Sequence, residues 1–207
     1  MPEPESIISA DVALKRLIAG NERFRRGEIR LPRLVHEMLT GLSQGQQPYA
    51  TILGCSDSRV PPELIFDTGL GELFVIRIAG NVFSPVVAGS LQYAEAHLHT
   101  NLFVVLGHQE CGAVQAALKT RDKGNRHHSR IQLLVDNILP GLPSFDPHLS
   151  QKAQTDRAVE SNIDWTVQQI LHTPKGQARL CEGKTRVVGA VFEIATGRVR
   201  FLDTGRG

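Results

Sequence analysis

Three side chains in this sequence have the chemistry to share a soft metal ion: Cys55, His108 and Cys111. His108 and Cys111 stand in one short segment, His-Gln-Glu-Cys, close enough for imidazole and thiolate to reach the same ion. Sulfur and imidazole nitrogen are the donors that zinc favours. Three protein ligands leave one tetrahedral corner free, the pattern of a catalytic zinc site, provided no fourth side chain closes it. Asp57, two positions after Cys55, is placed to be that fourth ligand. Arg59 follows two further on, and its planar fork suits a bidentate grip on a carboxylate. Held by Arg59, Asp57 turns from the ion and becomes an acceptor for metal-bound water; left unheld, it closes the site. Two thiolates make the zinc core formally neutral, so it acidifies water less than three imidazoles do, and an acceptor in a dry pocket helps to offset this. A rival chemistry makes Cys55 or Cys111 a nucleophile activated by His108. Cys181 has no ligand-spaced neighbour and reads as an incidental thiol, and His127-His128 lie in a charged stretch that reads as a solvated loop.

Residues 49–53 form a short apolar run that ends at Gly54 and delivers Cys55 into a polar loop. A second strand is expected over 73–78. Ser84-Pro85 is a cap and first turn for a helix through about His99. A third strand over 102–106 stops at Gly107 and delivers His108 and Cys111, with a helix from about Gly112. Continuous apolar runs fit parallel strands covered on both faces, and their alternation with helical segments gives an α/β fold with a mostly parallel central sheet flanked by helices. Ligands in such sheets gather outside the carboxyl ends of the strands, so the two loops converge. Further helices are expected near 131–139 and 155–171, the latter ending before Pro174. A hairpin over 187–202 supplies the last strand and an extension of the sheet. An N-terminal helix, 9–24, with Ser9 or Asp11 as cap, begins an arm and connector over 1–46 that packs on the 47–207 body or on a neighbouring subunit, the whole forming one structural domain.

The chain has 207 residues, with 23 Lys+Arg against 21 Asp+Glu, a balance that excludes a dedicated nucleic-acid binder. No apolar run reaches the ~18 residues of a membrane span. Three cysteines do not make a disulfide framework, and the first residues carry acid where a signal peptide carries base. A cytoplasmic location is expected.

Gly54-Cys-Ser-Asp-Ser-Arg59, Gly71-Glu-Leu-Phe-Val-Ile-Arg77 and Gly107-His-Gln-Glu-Cys-Gly-Ala113 resemble the signature segments of the β-class carbonic anhydrases, and the likeness runs over nearly the whole chain. It implies one zinc per subunit on Cys55, His108 and Cys111, with Asp57 and Arg59 as catalytic dyad. The implied reaction is reversible hydration of CO₂ to bicarbonate and a proton by zinc-bound hydroxide. The implied assembly is a homodimer, or a dimer of dimers, formed through the sheet and the N-terminal arm. Gln46, Phe74 and Tyr93 fall at pocket positions of one branch of the family, Gln46 reaching the partner's site, while Ala79 stands where a larger aliphatic is usual and widens the pocket. Another branch has Trp at the position of Ile52 here, a residue associated there with a regulatory bicarbonate site and a zinc-bound aspartate, so that switch is not expected. Two rivals share these motifs: hydrolysis of carbon disulfide or carbonyl sulfide on the same metal, and a zinc-stabilised interaction module closed permanently by Asp57.

Overall fold

The computed structural model of the chain describes residues 8–30, 36–124, 126–146, 148–183 and 185–202. Its centre is a five-stranded sheet in the order β2-β1-β3-β4-β5. β1 (Ala50–Gly54), β2 (Leu73–Arg77), β3 (Leu102–His108) and β4 (Arg186–Glu193) run parallel, and β5 (Arg198–Phe201) returns antiparallel to β4. β1 and β3 are buried at every position, as unbroken apolar runs demand when helices cover both faces.

Successive residues of each strand feed opposite cores. On one face Leu53, Phe103, Val105, Val187 and Val191 pack beneath α4 (Pro85–Leu98), α5 (Gly112–Lys123) and α7 (Gln151–Leu171). On the other, Ile52, Val104, Leu106, Val188 and Ala190 meet α1 (Ala10–Arg26) and α3 (Pro62–Ile65). α2 (His36–Leu42), α6 (Ile131–Ile138) and α8 (Pro174–Glu182) complete the helices. α1 starts on a Ser9 cap and packs against this chain's own body. Its buried Asn21 donates to the carbonyls of Ile65 and Gly197 and accepts from the Val199 amide at 2.8 Å. At Gly20 a Cβ would lie 1.8 Å from the Phe66 carbonyl oxygen, so only glycine lets the helix seat there.

Two boundaries differ from expectation, and one helix is additional. β3 runs on through Gly107 and His108, because β4 continues alongside it and pairs these residues with Val191 and Phe192. α7 begins at Gln151 on a Ser150 cap, four residues before the expected start. α7 ends at Leu171, before Pro174 as expected, but Pro174 itself opens a further helix, α8, that was not expected; proline at a first helical position has no amide to leave unsatisfied.

Strand order places the site. From β1 the chain crosses to β2 on one side, then returns past β1 to β3 on the other. The loops leaving β1 and β3 therefore part in opposite directions and open a crevice between the carboxyl ends of adjacent strands. Gly54 pairs with Leu106, so Cys55 and His108 lie one and two residues beyond a shared rung.

Candidate metal centre

Cys55, His108 and Cys111 converge in that crevice, with their ligand atoms all within 4.8 Å of one another. They are 4 %, 0 % and 1 % exposed, so three groups that prefer water or a partner are enclosed together. The two sulfurs are 4.0 Å apart and both cysteines are free thiols. An ion about 2.3 Å from each sulfur in tetrahedral geometry sets them about 3.8 Å apart, close to the distance found. His108 turns Nδ1 to the Gln109 carbonyl oxygen at 2.8 Å, which puts the ring proton there. Nε2 is then the bare acceptor, and it is buried with no hydrogen-bond partner. A buried ring nitrogen left unpaired beside two sulfurs costs stability unless a cation occupies the space between them. The residues present fit zinc.

The Cys111 contact, assisted by His108 and by the Gly80 amide 3.4 Å from Cys55 Sγ, pulls the Cys55 thiol down against its burial. The same contact, with burial, pushes Cys111 up. The contact thus favours the thiolate on Cys55, the form in which cysteine binds metal.

Asp57 stands outside the three-donor cluster. Arg59 grips it in bidentate fashion, Nε to Oδ1 at 2.9 Å and a terminal nitrogen to Oδ2 at 2.7 Å, while the Arg59 amide adds a third bond to Oδ1 at 3.0 Å. These bonds hold the Asp57 carboxyl well below the usual carboxylate range, and the guanidinium is raised in turn by its partner. Asp57 Oδ2 is 3.8 Å from His108 Nε2, beyond a hydrogen bond but beside the metal-facing nitrogen. The carboxylate therefore borders the centre with its orientation fixed by the arginine.

Of the pocket candidates, Phe74 is half-buried on β2 and packs against the core cluster that contains Cys55 and Cys111. Its ring meets that of Tyr93 at 6.0 Å between centroids; Tyr93 is 48 % exposed and also faces His97. Ala79 opens the 3₁₀ turn Ala79–Asn81 whose Gly80 amide points at Cys55. Gln46 is exposed and precedes β1, while Cys55 follows it, so a strand of five residues, about 16 Å, separates Gln46 from its own metal ligands. His127 and His128 are exposed, apart from the cluster, as is Cys181.

Two supporting residues escaped the sequence reading. Arg77, at the end of β2, donates to the carbonyls of Cys55 at 3.0 Å and Asp57 at 2.6 Å and so pins the loop between the first ligand and the acid. Asn162 of α7 is 1 % exposed and donates to the Gly80 carbonyl at 2.9 Å. A signal for Asn162 exists: it interrupts the apolar stripe of Val159, Ile163 and Val167 at helical spacing, where a polar residue must find a specific partner.

Residues 50–199 match the model of the carbonic anhydrase family. The chain is 38 % identical over 191 residues to carbonic anhydrase of Mycolicibacterium smegmatis, covering 90 % of both, and 35 % identical to carbonic anhydrase 2 of Mycobacterium tuberculosis, covering 92 % of both. Among solved structures it is similar to the β-carbonic anhydrase CcaA, with TM-score 0.71 and 31 % identity over 92 % of this chain and 87 % of that one. The Coccomyxa β-carbonic anhydrase, solved with acetazolamide, gives TM-score 0.70 and 29 % identity over 79 % of this chain and 75 % of that one.

Proposed function

Because the chain belongs to the carbonic anhydrase family, and to its β class, we infer that Cys55, His108 and Cys111 hold one zinc ion per subunit, with Asp57 and Arg59 as the catalytic pair beside it. The reaction is the reversible hydration of CO₂ to bicarbonate and a proton, a lyase activity. The observation that carries the site assignment is the enclosed donor set, two thiols and an unpartnered imidazole nitrogen around one point.

When bound, zinc supplies Lewis-acid activation of water near neutral pH. The protein's part is orientation. Arg59 fills Asp57 Oδ1 with two N–H groups but gives Oδ2 only one, so Oδ2 can accept a hydrogen bond from a water at the centre and turn the water's oxygen lone pair toward the substrate carbon. The guanidinium keeps Asp57 ionised and therefore an acceptor only. Arg77 fixes the backbone on either side of Ser56, so Asp57 keeps its distance from the ligands. Phe74 and Ala79 offer apolar wall to an uncharged substrate. Gln46 is proposed to reach the site of a second copy, since it lies at the far end of β1 from its own Cys55.

The proposed assembly is a homodimer, or a dimer of such dimers. The open edge strand β2, together with the exposed apolar side chains Val86 (81 %) and Tyr93 (48 %) of α4 and Leu70 (52 %) just before β2, supports it. A cytoplasmic location is proposed from three thiols left unpaired; no described helix is long and apolar enough to cross a membrane.

Stopped-flow CO₂ hydration by zinc-loaded protein at pH 8 and above tests the reading. A rate well above buffer, lost on chelation and restored by zinc, is expected. No rate above buffer in protein with full zinc content overturns it.

A further inference from the structure

We propose that Asn162 is a positioning residue for the metal centre, acting through the Gly80 turn to hold an amide hydrogen bond on the Cys55 thiolate; the inference rests on the zinc reading above. Gly80 lies between two peptides that both matter. Its N–H points at Cys55 Sγ at 3.4 Å, and its carbonyl accepts from Asn162 Nδ2 at 2.9 Å. The turn is narrowly specified: Gly80 has φ +71°, and a Cβ there would meet Ile138 at 2.9 Å and Ala113 at 3.0 Å. Asn81 follows at φ 43° and bonds its amide to the Ile78 carbonyl at 2.9 Å. A turn in this conformation stays put only if neighbours over-determine it. α7 does so twice, through Asn162 at Gly80 and through Thr166 Oγ1 at the Asn81 carbonyl, 3.3 Å.

Stability alone does not account for an asparagine here. Asn162 is buried and its Oδ1 has no hydrogen-bond partner, so half of its polar capacity is desolvated without return. A leucine would fill the same place among Val159, Ile163 and Val167 free of that cost. What leucine lacks is the donor to Gly80. An N–H directed at a thiolate draws electron density from sulfur, which leaves the metal a stronger Lewis acid and keeps the ligand in place.

The test is Asn162→Leu, with Asn162→Ala as second variant should leucine not give soluble protein, and Ile170→Ala as a control that truncates the same helix away from the turn. Zinc affinity is measured by competition with a chromophoric chelator, and the sulfur-to-metal charge-transfer band by substitution with Co²⁺. The expected result is zinc binding weakened about 10-fold and a charge-transfer band moved to lower energy in either Asn162 variant. Ile170→Ala is expected to lower thermal stability and leave both readouts unchanged. Wild-type metal binding with variant affinity within 2-fold and an unmoved band overturns the role of Asn162 alone. A wild-type chain that takes up no stoichiometric zinc overturns the metal reading itself.

Discussion

Asp57→Asn separates a catalytic carboxylate from a structural one. The substitution keeps shape and volume but removes the charge, and it places an NH₂ against a guanidinium that now bonds to two oxygens. The cost to folding is small because the pair is open to water, with side chains 20 % and 49 % exposed, and exposed ion pairs contribute little. Its sign follows from the titration. Arg59 holds the folded-state carboxyl below its unfolded value, so the contribution is fully present above the ordinary carboxylate range and is lost as pH falls through the depressed folded value. At pH 8 the variant forgoes all of it, and a Tm lowered by no more than about 3 °C is expected. The cost to catalysis is much larger. Loss of a positioned hydrogen-bonding group bordering the enclosed metal centre lowers rates by about 10²–10³, which is about 2.7–4 kcal/mol of barrier. Zinc content stays at one per chain, because Cys55, His108 and Cys111 are untouched. Stopped-flow CO₂ hydration, a thermal melt and metal analysis on one preparation read all three quantities. A variant within 3-fold of wild type in kcat/KM, or one that has lost its zinc, refutes the assignment.

Three further outcomes are expected. Cys55→Ser abolishes stoichiometric zinc and activity together, whereas Cys181→Ser, at an exposed position, changes stability by less than about 0.5 kcal/mol and leaves activity intact; metal analysis and urea melts check both. Gly107→Ala destabilises the fold by about 1–3 kcal/mol in urea, because its Cβ would lie 2.6 and 2.7 Å from the Ile163 side chain. Gln46→Ala and Cys55→Ser, each impaired alone, regain activity when unfolded and refolded together if Gln46 serves a partner: half of the random dimers are mixed, and one site in each is complete, about a quarter of all sites. Mixed samples that show only the average of the separate variants contradict a Gln46 acting across the dimer.

Much of the site was legible because ligand chemistry and strand periodicity are both local. The run before Gly54 and the run before Gly107 declare two buried strands, and the residues just after them are the ones that chemistry singles out. The pairing of Arg59 with Asp57 was also legible, since two residues in a tight loop are held near each other by the chain itself. What stayed hidden depends on distant packing. The length of β3 was underestimated because His108 reads as a polar loop residue until β4 is seen to pair with it. Arg77 reads as an exposed strand terminus, and its role appears only when β2 is set beside β1 with Gly54 opposite Arg77. Asn162 follows Cys55 by more than a hundred positions, and no spacing rule links them. Gln46 is the converse case: the role proposed for it, in the site of a second copy, leaves no contact to read in a single chain.

The sheet order explains why so few residues suffice. β1 and β3 are neighbours whose outgoing loops part, so an opening forms at their carboxyl ends without any side chain being carved away to make it. The floor of that opening belongs to the core: Cys55 and Cys111 are members of the same cluster as Val105, Ile163 and Val191, which fixes their directions as firmly as any buried residue. The rim is different. Asp57 and Arg59 are partly exposed and are placed by hydrogen bonds rather than by packing, with Arg77 as the tie between rim and sheet. A change in the floor therefore alters metal binding and folding together, whereas a change in the rim alters rate with metal and fold retained. Cys55→Ser and Asp57→Asn fall on opposite sides of that division although the two residues are separated by only Ser56.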